Sequence, residues 1–217
     1  SAMYERGEIS EEQFLFYHTQ ACPSCGSCSF MGTASTMQIM AEALGLALPG
    51  TALLPATENG LQDAAVQAGR QAVRLARMGL APSDIVTEKS FENAVMVHAA
   101  ISGSTNSLLL LPAIAHEFGI RLDADSFDRL HRGAHYLLNI RPAGEWPAQF
   151  FSYAGGVPAV MEEIRSMLHL DVMTVTGKTL GENLNELKRN GFYEERQKRL
   201  ADYGLKKEDV IRPFDHP

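Results

Sequence analysis

"CPSCGSCSFMGTASTM", residues 22–37, holds all three cysteines of the chain, Cys22, Cys25 and Cys28, in a turn of small residues that runs into a helical pattern. A structural zinc site takes four nitrogen or sulfur ligands and often pairs two C-x2-C elements; one such set is present here, with no partner downstream. A thioredoxin-like C-x-x-C sits at a helix start after a strand, and no strand pattern precedes Cys22 or Cys25. Bacterial ferredoxin runs begin C-x2-C-x2-C, but their fourth cysteine is missing. Free thiols in a small-residue turn fit the spacing about as well as any ligand set. The context singles out Cys28. Thr33, Ser35 and Thr36 are residue types that cap a helix, and a thiolate beside a helix N-terminus is stabilised by exposed N–H groups and the helix dipole.

Working outward, 217 residues make one or at most two domains. A hydrophobic share of 45% suffices for a real core, and a net charge of −7 argues against a nucleic-acid or anionic-membrane surface. No apolar run approaches the roughly 18 residues of a membrane span. The start, SAMYERGEIS, lacks the apolar segment of a signal peptide, and its first three residues read as an expression remnant. An odd cysteine count without a secretion signal points to a reducing compartment, hence the cytoplasm.

Helical patterns dominate the rest. Ser10 and Gln13 form a capping-box pattern ahead of a helix to residue 20. Met37, Met40, Leu44 and Leu46 are near helical spacing, with Pro49-Gly50 as the stop. Residues 61–80 give the clearest amphipathic helix, with Leu61, Ala65, Ala68, Ala72, Leu75 and Met78 on one stripe and Gly79 at its end. Further helices are expected over roughly 90–101, from 107, from about 124, over 157–169 and over 178–191. YLLNI (136–140) and LDVMTVTG (170–177) read as strands. Strands among helices predict an α/β fold, helix-rich, with a small, mainly parallel sheet flanked by helices. The charged tail reads as partly helical, with residues 194–207 as a solvated face.

These blocks together resemble one family, the dihydroxy-acid and sugar-acid dehydratases (IlvD/Edd). Its central motif is close to C-P-G-x-G-x-C-x-x-M-x-T-A-x-T-M, and residues 22–37 follow it except at Ser24, where glycine is usual. SGSTNSLLLLPAIAHEFGIRL (102–122) is similar to the family's G-G-S-T-N block, with Ser102 for the first glycine. NIRPAGEW, AGGVPAVMEEI and MTVTGKTLGEN are similar to three further blocks, in order. Within the family, the wording of 141–151 and 169–184 is most similar to the sugar-acid branch, and there to enzymes acting on D-xylonate.

The resemblance implies that residues 4–217 are the later part of a larger N-terminal domain. It also implies an iron–sulfur cluster, [2Fe-2S] or [4Fe-4S], held by three cysteines far apart in sequence, of which Cys28 is one. Cys25 falls at a variable position, so Cys22 and Cys25 would be structural or incidental. Magnesium, held by acidic groups and a modified lysine, a base, an upstream segment and a C-terminal domain would lie outside this chain. The implied reaction is dehydration of a 2,3-dihydroxy acid such as a sugar acid to a 2-keto-3-deoxy acid. Alone, the polypeptide is expected to be inactive and to bind a cluster weakly at best. A homo-oligomer is expected, with neither nucleic acid nor membrane as partner.

Ser104, Thr105 and Asn106, at a helix start, are the candidate substrate-binding residues; read without the family, they are a helix cap. His131 and His135 are four apart, but a metal would need a further ligand. His98, in MVHAA, reads as a hydrogen-bonded core histidine. Gly155-Gly156 resembles an anion-binding helix start, and Lys178 lacks the glycine-rich loop of a P-loop. Two rival functions remain. A C-x-x-C redox protein would cycle Cys22 and Cys25 with dithiols, and a non-catalytic association module would self-associate through exposed apolar surface.

Overall fold

The computed structural model describes residues 2–20, 29–56 and 58–217. Among these the backbone forms thirteen α-helices and one 3₁₀ turn. In chain order they are α1 (Ala2–Glu5), α2 (Glu11–Gln20), α3 (Thr33–Ala43), α4 (Asn59–Met78), α5 (Pro82–Ile85), α6 (Glu88–Ile101) and α7 (Ser107–Glu117). There follow α8 (Ala124–His131), α9 (Ala148–Tyr153), α10 (Gly156–Glu163), the 3₁₀ turn (Arg165–Met167), α11 (Leu180–Arg189), α12 (Phe192–Ala201) and α13 (Lys207–Val210).

Helix α6 is the centre. A helix that is apolar nearly all round has to be enclosed, and in α6 the residues Phe91, Asn93 to His98, Ala100 and Ile101 are buried. Its start is fixed by Thr87, whose hydroxyl accepts from the Ser90 amide while Ser90 Oγ accepts from the Thr87 amide. Helices α3, α8 and α10 pack on it, and α9 lies against α10 and α12. Met40, Phe91, Leu111, Phe151, Ile164 and Leu184 are the large side chains of this single core.

The expected parallel sheet is not there. Among the described residues no strand forms, and extended backbone pairs only through the isolated bridges Leu138–Ile211, Ile140–Trp146 and Met173–Thr179. The apolar run 136–140 has Leu137, Leu138 and Ile140 almost fully enclosed, while Tyr136 is exposed. Its backbone, however, bonds to unrelated partners. Leu137 N donates to Ala100 O at the end of α6, Asn139 N to Val210 O, and Arg141 N to Trp146 O. Residues 170–177 fold into a turn instead, with Thr174 N donating to Lys178 O and Val175 N to Gly45 O. A short apolar run signals burial and not a ladder, and here loops and helix ends satisfy the buried amides.

Three further expectations change. Helix α3 stops at Ala43 and not at Pro49, because Gly45 takes the left-handed conformation (φ 79°) and lies against Thr174, where a Cβ would come within 3.1 Å of Met173 O. Helix α4 has the predicted span and its Gly79 cap, but none of its residues is buried. The tail is no mere solvated face: Leu200, Val210 and Ile211 join the core, and Arg196 Nη1 donates to Ser152 Oγ at 2.6 Å.

Candidate functional site

Cys28, and with it Cys22 and Cys25, lies outside the described residues. The backbone that leaves Cys28 is anchored at once. Ser29 O accepts from Ala148 N at 2.8 Å, and Met31 N donates to Arg141 O at 2.7 Å. Helix α3 then begins at Thr33 after Gly32, and Gly32 makes no side-chain cap bond. Thr33 and Thr36 do not cap α3 either. Three residues apart on a helix, they share a face, and that face meets the loop 102–106.

The junction is a hydrogen-bond lattice. Asn106 Nδ2 donates to Thr33 Oγ1 at 2.6 Å, and Thr33 Oγ1 and Ser104 Oγ are 3.2 Å apart. Ser104 N donates to Thr36 Oγ1 at 2.9 Å, and Thr36 in turn donates to Met31 Sδ. Ser104 O accepts from Ser107 Oγ at 2.6 Å and from Ser107 N at 3.0 Å. Ser104 Oγ accepts from Asn106 N at 3.3 Å. Asn106 occupies the cap position of α7 without a side-chain cap bond, because its carboxamide reaches across to α3. The helix-cap reading therefore does not describe the Asn106 side chain.

Ser104 is half-buried, whereas Thr105 and Asn106 are exposed. The first turn of α7 adds Leu108 and Leu109, the latter 74% exposed, and Phe30 is exposed beside α3. The surface that carries the loop is thus polar at its centre with bulky apolar side chains around it. Ser102 holds the bend after α6 in the left-handed region, φ 47°. Gly103 admits nothing larger, because a Cβ there would lie 2.5 Å from His98 Cδ2 and 3.0 Å from Thr36 Cγ2.

His98 is buried, as a core histidine should be, and it is hydrogen-bonded: Nε2 to Ser104 O at 3.2 Å and Nδ1 to His131 Nε2 at 3.3 Å. Burial lowers its pKa below the usual histidine value, more strongly than the Ser104 carbonyl raises it, and the neighbouring His131 lowers it further. Burial also lowers that of His131, against the pull of Asp128. His135 is past the end of α8 and packs edge-on against Phe214, so it shares no face with His131. Lys178 pairs with Glu186. At Gly155 the amide already donates to Ser152 O at 3.2 Å, and a Cβ there would be 2.8 Å from Ala159 Cβ.

No group of three or more His, Cys, Asp or Glu side chains that could hold a metal ion occurs among the described residues. The three cysteines, the candidate thiolate donors for an iron–sulfur cluster, are followed by backbone fixed through the contacts of Ser29 and Met31.

Sequence patterns missed two features. Thr33 and Thr36 read as caps, and their spacing was the available signal for a shared face. Glu42 reads as an ordinary polar residue of α3, but it is buried and its two oxygens accept from Gly50 N (2.7 Å) and Ala52 N (2.9 Å). Burial raises its pKa to about 7 against those hydrogen bonds.

Comparison with known proteins gives one consistent result. The family described as dihydroxy-acid/6-phosphogluconate dehydratase, N-terminal, matches residues 1–183. A protein named dihydroxy-acid dehydratase from Caldicellulosiruptor bescii is 43% identical over 216 residues, 99% of this chain and 36% of that protein. One named dihydroxy-acid dehydratase 1 from Methanosarcina acetivorans is 47% identical over 184 residues, 85% of this chain and 33% of that protein. The dihydroxy-acid dehydratase of Acetivibrio thermocellus is 40% identical over 216 residues, 99% of this chain and 36% of that protein. The chain thus spans about a third of the length of the curated relatives it matches.

Proposed function

The chain belongs to the dihydroxy-acid/6-phosphogluconate dehydratase family, and we propose that it is the part of a hydro-lyase that sets one cluster thiolate, Cys28, beside a substrate loop, Ser104–Asn106. The observation behind this reading is the lattice joining the two blocks: residues that follow Cys28 closely in sequence, Thr33 and Thr36, bond directly to Ser104 and Asn106.

The reaction proposed is loss of water from a 2,3-dihydroxy acid. A base removes the C2 proton, the C3 hydroxyl departs, and the resulting enol rearranges to a 2-keto acid, so that substrate equals product plus water. Hydroxide is a poor leaving group, and a bound iron–sulfur cluster would supply a Lewis-acidic iron to stabilise it. This chain's share is binding and orientation. Thr105 Oγ1 and Asn106 Oδ1 are free of protein hydrogen bonds among the described residues and sit at the start of α7; Thr105 Oγ1 can donate to a carboxylate, which the helix dipole favours there, and Asn106 Oδ1 can accept from a substrate hydroxyl. Ser104 is fully engaged and holds the loop. The base, the other thiolates and the magnesium ligands are proposed to come from the additional length found in the relatives, and the assembled enzyme is proposed to be a cytoplasmic homo-oligomer.

The substrate class proposed is the 2,3-dihydroxy acid; the relatives are named dihydroxy-acid dehydratases. The finer reading, a sugar acid and in particular D-xylonate, is supported by the wording of 141–151 and 169–184. The test is dehydration by the whole-length protein, with D-xylonate and a simple non-sugar 2,3-dihydroxy acid assayed in parallel. Cys28→Ser should abolish cluster absorption and turnover together. Wild-type turnover of the simple acid alone would remove the sugar-acid reading, and an unaffected Cys28→Ser variant would remove the whole proposal.

A further inference from the structure

The loop 104–106 is held from behind by a pair of histidines that the proposed reaction does not use. The rings of His98 (α6) and His131 (α8) stack with centroids 5.2 Å apart and planes 12° apart, and Phe127 meets both edge-on. Ser104 O can only accept, so His98 Nε2 must carry the proton in their 3.2 Å contact. In a neutral ring Nδ1 is then the acceptor, and its partner at 3.3 Å, His131 Nε2, must be the donor. One arrangement of protons therefore satisfies the chain His131, His98, Ser104.

We propose that His98 is a positioning residue for the substrate loop, held in its Nε2–H tautomer by His131, and that it fixes the direction in which Thr105 and Asn106 are presented. The inference rests on the reading of 104–106 as a substrate loop. The contact is built into the fold: Gly103 leaves room for the imidazole at the one place where a Cβ would strike it. Burial and the neighbouring His131 ring oppose ionisation of His98, while the Ser104 carbonyl favours it and Asp128 favours ionisation of His131. Helix α3 presents Thr36 and Met31 lies behind it, α7 presents Ser107, and the charged neighbour is Asp128 of α8, which acts on His131. Burial lowers the pKa of His98, which favours the neutral ring. An Nε2–H donor on Ser104 O fixes the direction of that carbonyl.

The experiment uses the 217-residue chain. Long-range ¹H–¹⁵N spectra should show His98 as the Nε2–H tautomer, titrating below an ordinary histidine. His131→Phe, which keeps a stacking ring and removes the donor, should shift the His98 Nδ1 resonance to that of an unbonded acceptor. His98→Phe should speed exchange of the Ser104 and Asn106 amides about tenfold, the scale of one net hydrogen bond. His98→Gln, which keeps an N–H at the Nε2 position, should stay near the wild-type rate. An Nδ1–H tautomer in the wild-type chain overturns the inference even if His98→Phe fails to fold. Unchanged exchange in a folded His98→Phe chain overturns it too. Titration of the whole-length protein with D-xylonate and with a simple 2,3-dihydroxy acid tests the substrate reading separately. A loop that loosens in His98→Phe of a protein that binds neither acid means that the substrate reading has failed and the coupling has not.

Discussion

Thr33 and Asn106, 73 residues apart in sequence, are joined by a 2.6 Å hydrogen bond from the Asn106 carboxamide to the Thr33 hydroxyl. That bond ties the start of α3, five residues past Cys28, to the start of α7. It makes two distant sequence blocks into one surface.

Thr33→Val keeps the side-chain shape and removes the acceptor. Loss of one exposed bond should cost about 0.5–1 kcal/mol of stability, with the Asn106 side-chain amide resonances moving to those of an unbonded carboxamide. Denaturant unfolding together with NMR checks both. A variant as stable as wild type, with its Asn106 signals in place, would show that the bond does not hold the loop.

Gly103→Ala meets no backbone restriction, since Gly103 does not need a positive φ, but its methyl would overlap His98. Overpacking of this kind costs about 1–3 kcal/mol. The displaced ring should lose its bond to Ser104, so the loss of stability should be accompanied by a change in the His98 ring resonances. Urea midpoints compared at constant m-value give the size.

Asn93 is buried in α6 and holds a distant backbone segment with both ends of its carboxamide: Nδ2 donates to His169 O at 2.9 Å and Oδ1 accepts from His169 N at 2.8 Å. Asn93→Ala leaves two partly buried backbone groups without a partner and should destabilise by about 3 kcal/mol. Asn93→Asp should recover little, because it restores only the acceptor and buries a charge. Thermal unfolding of the two variants separates these effects.

Glu42 sets a pH dependence. Its pKa in the folded chain is raised to about 7, from an ordinary value of 4.5 in the unfolded chain. Between those values the folded state holds the extra proton, so this group's stabilisation is full below pH 4.5 and is lost as pH rises through about 7. The shift corresponds to about 3 kcal/mol at 1.36 kcal/mol per pKa unit. Glu42→Gln removes the titration. Its stability relative to wild type should therefore rise across that window, although its amide nitrogen faces a backbone N–H and lowers the baseline. A pH-independent difference between the two proteins would show that Glu42 does not titrate there.

Much of the helix plan was legible because its signals are local. Ser10 and Gln13 cap α2 reciprocally, at 2.9 and 3.2 Å, as their spacing predicted. Gly79 ends α4, and Thr179 with Glu182 caps α11. What failed depended on distant partners. Residues 136–140 have strand-like composition, but the amide of Leu137 is claimed by the last turn of α6 and that of Asn139 by Val210. Neither contact leaves a trace in the run itself. The loop 102–106 could be recognised as a loop before an apolar helix. Its attachment to Thr33 and Thr36 could not, because a threonine that caps and one that bonds across the molecule are the same residue in the text. Glu42 was hidden for a similar reason: what makes it unusual is the bend at Gly50–Ala52 folding back onto it.

The twenty-residue helix α4 has no buried side chain and keeps an apolar cavity of about 390 Å³ between itself and the segment 46–51. Gln71 Nε2 reaches across to Val175 O at 2.6 Å as a tether. Such a helix behaves like an outrigger. It can lift away and settle back while the α6 core stays shut, so heat or a protease should reach it well before the rest of the molecule yields.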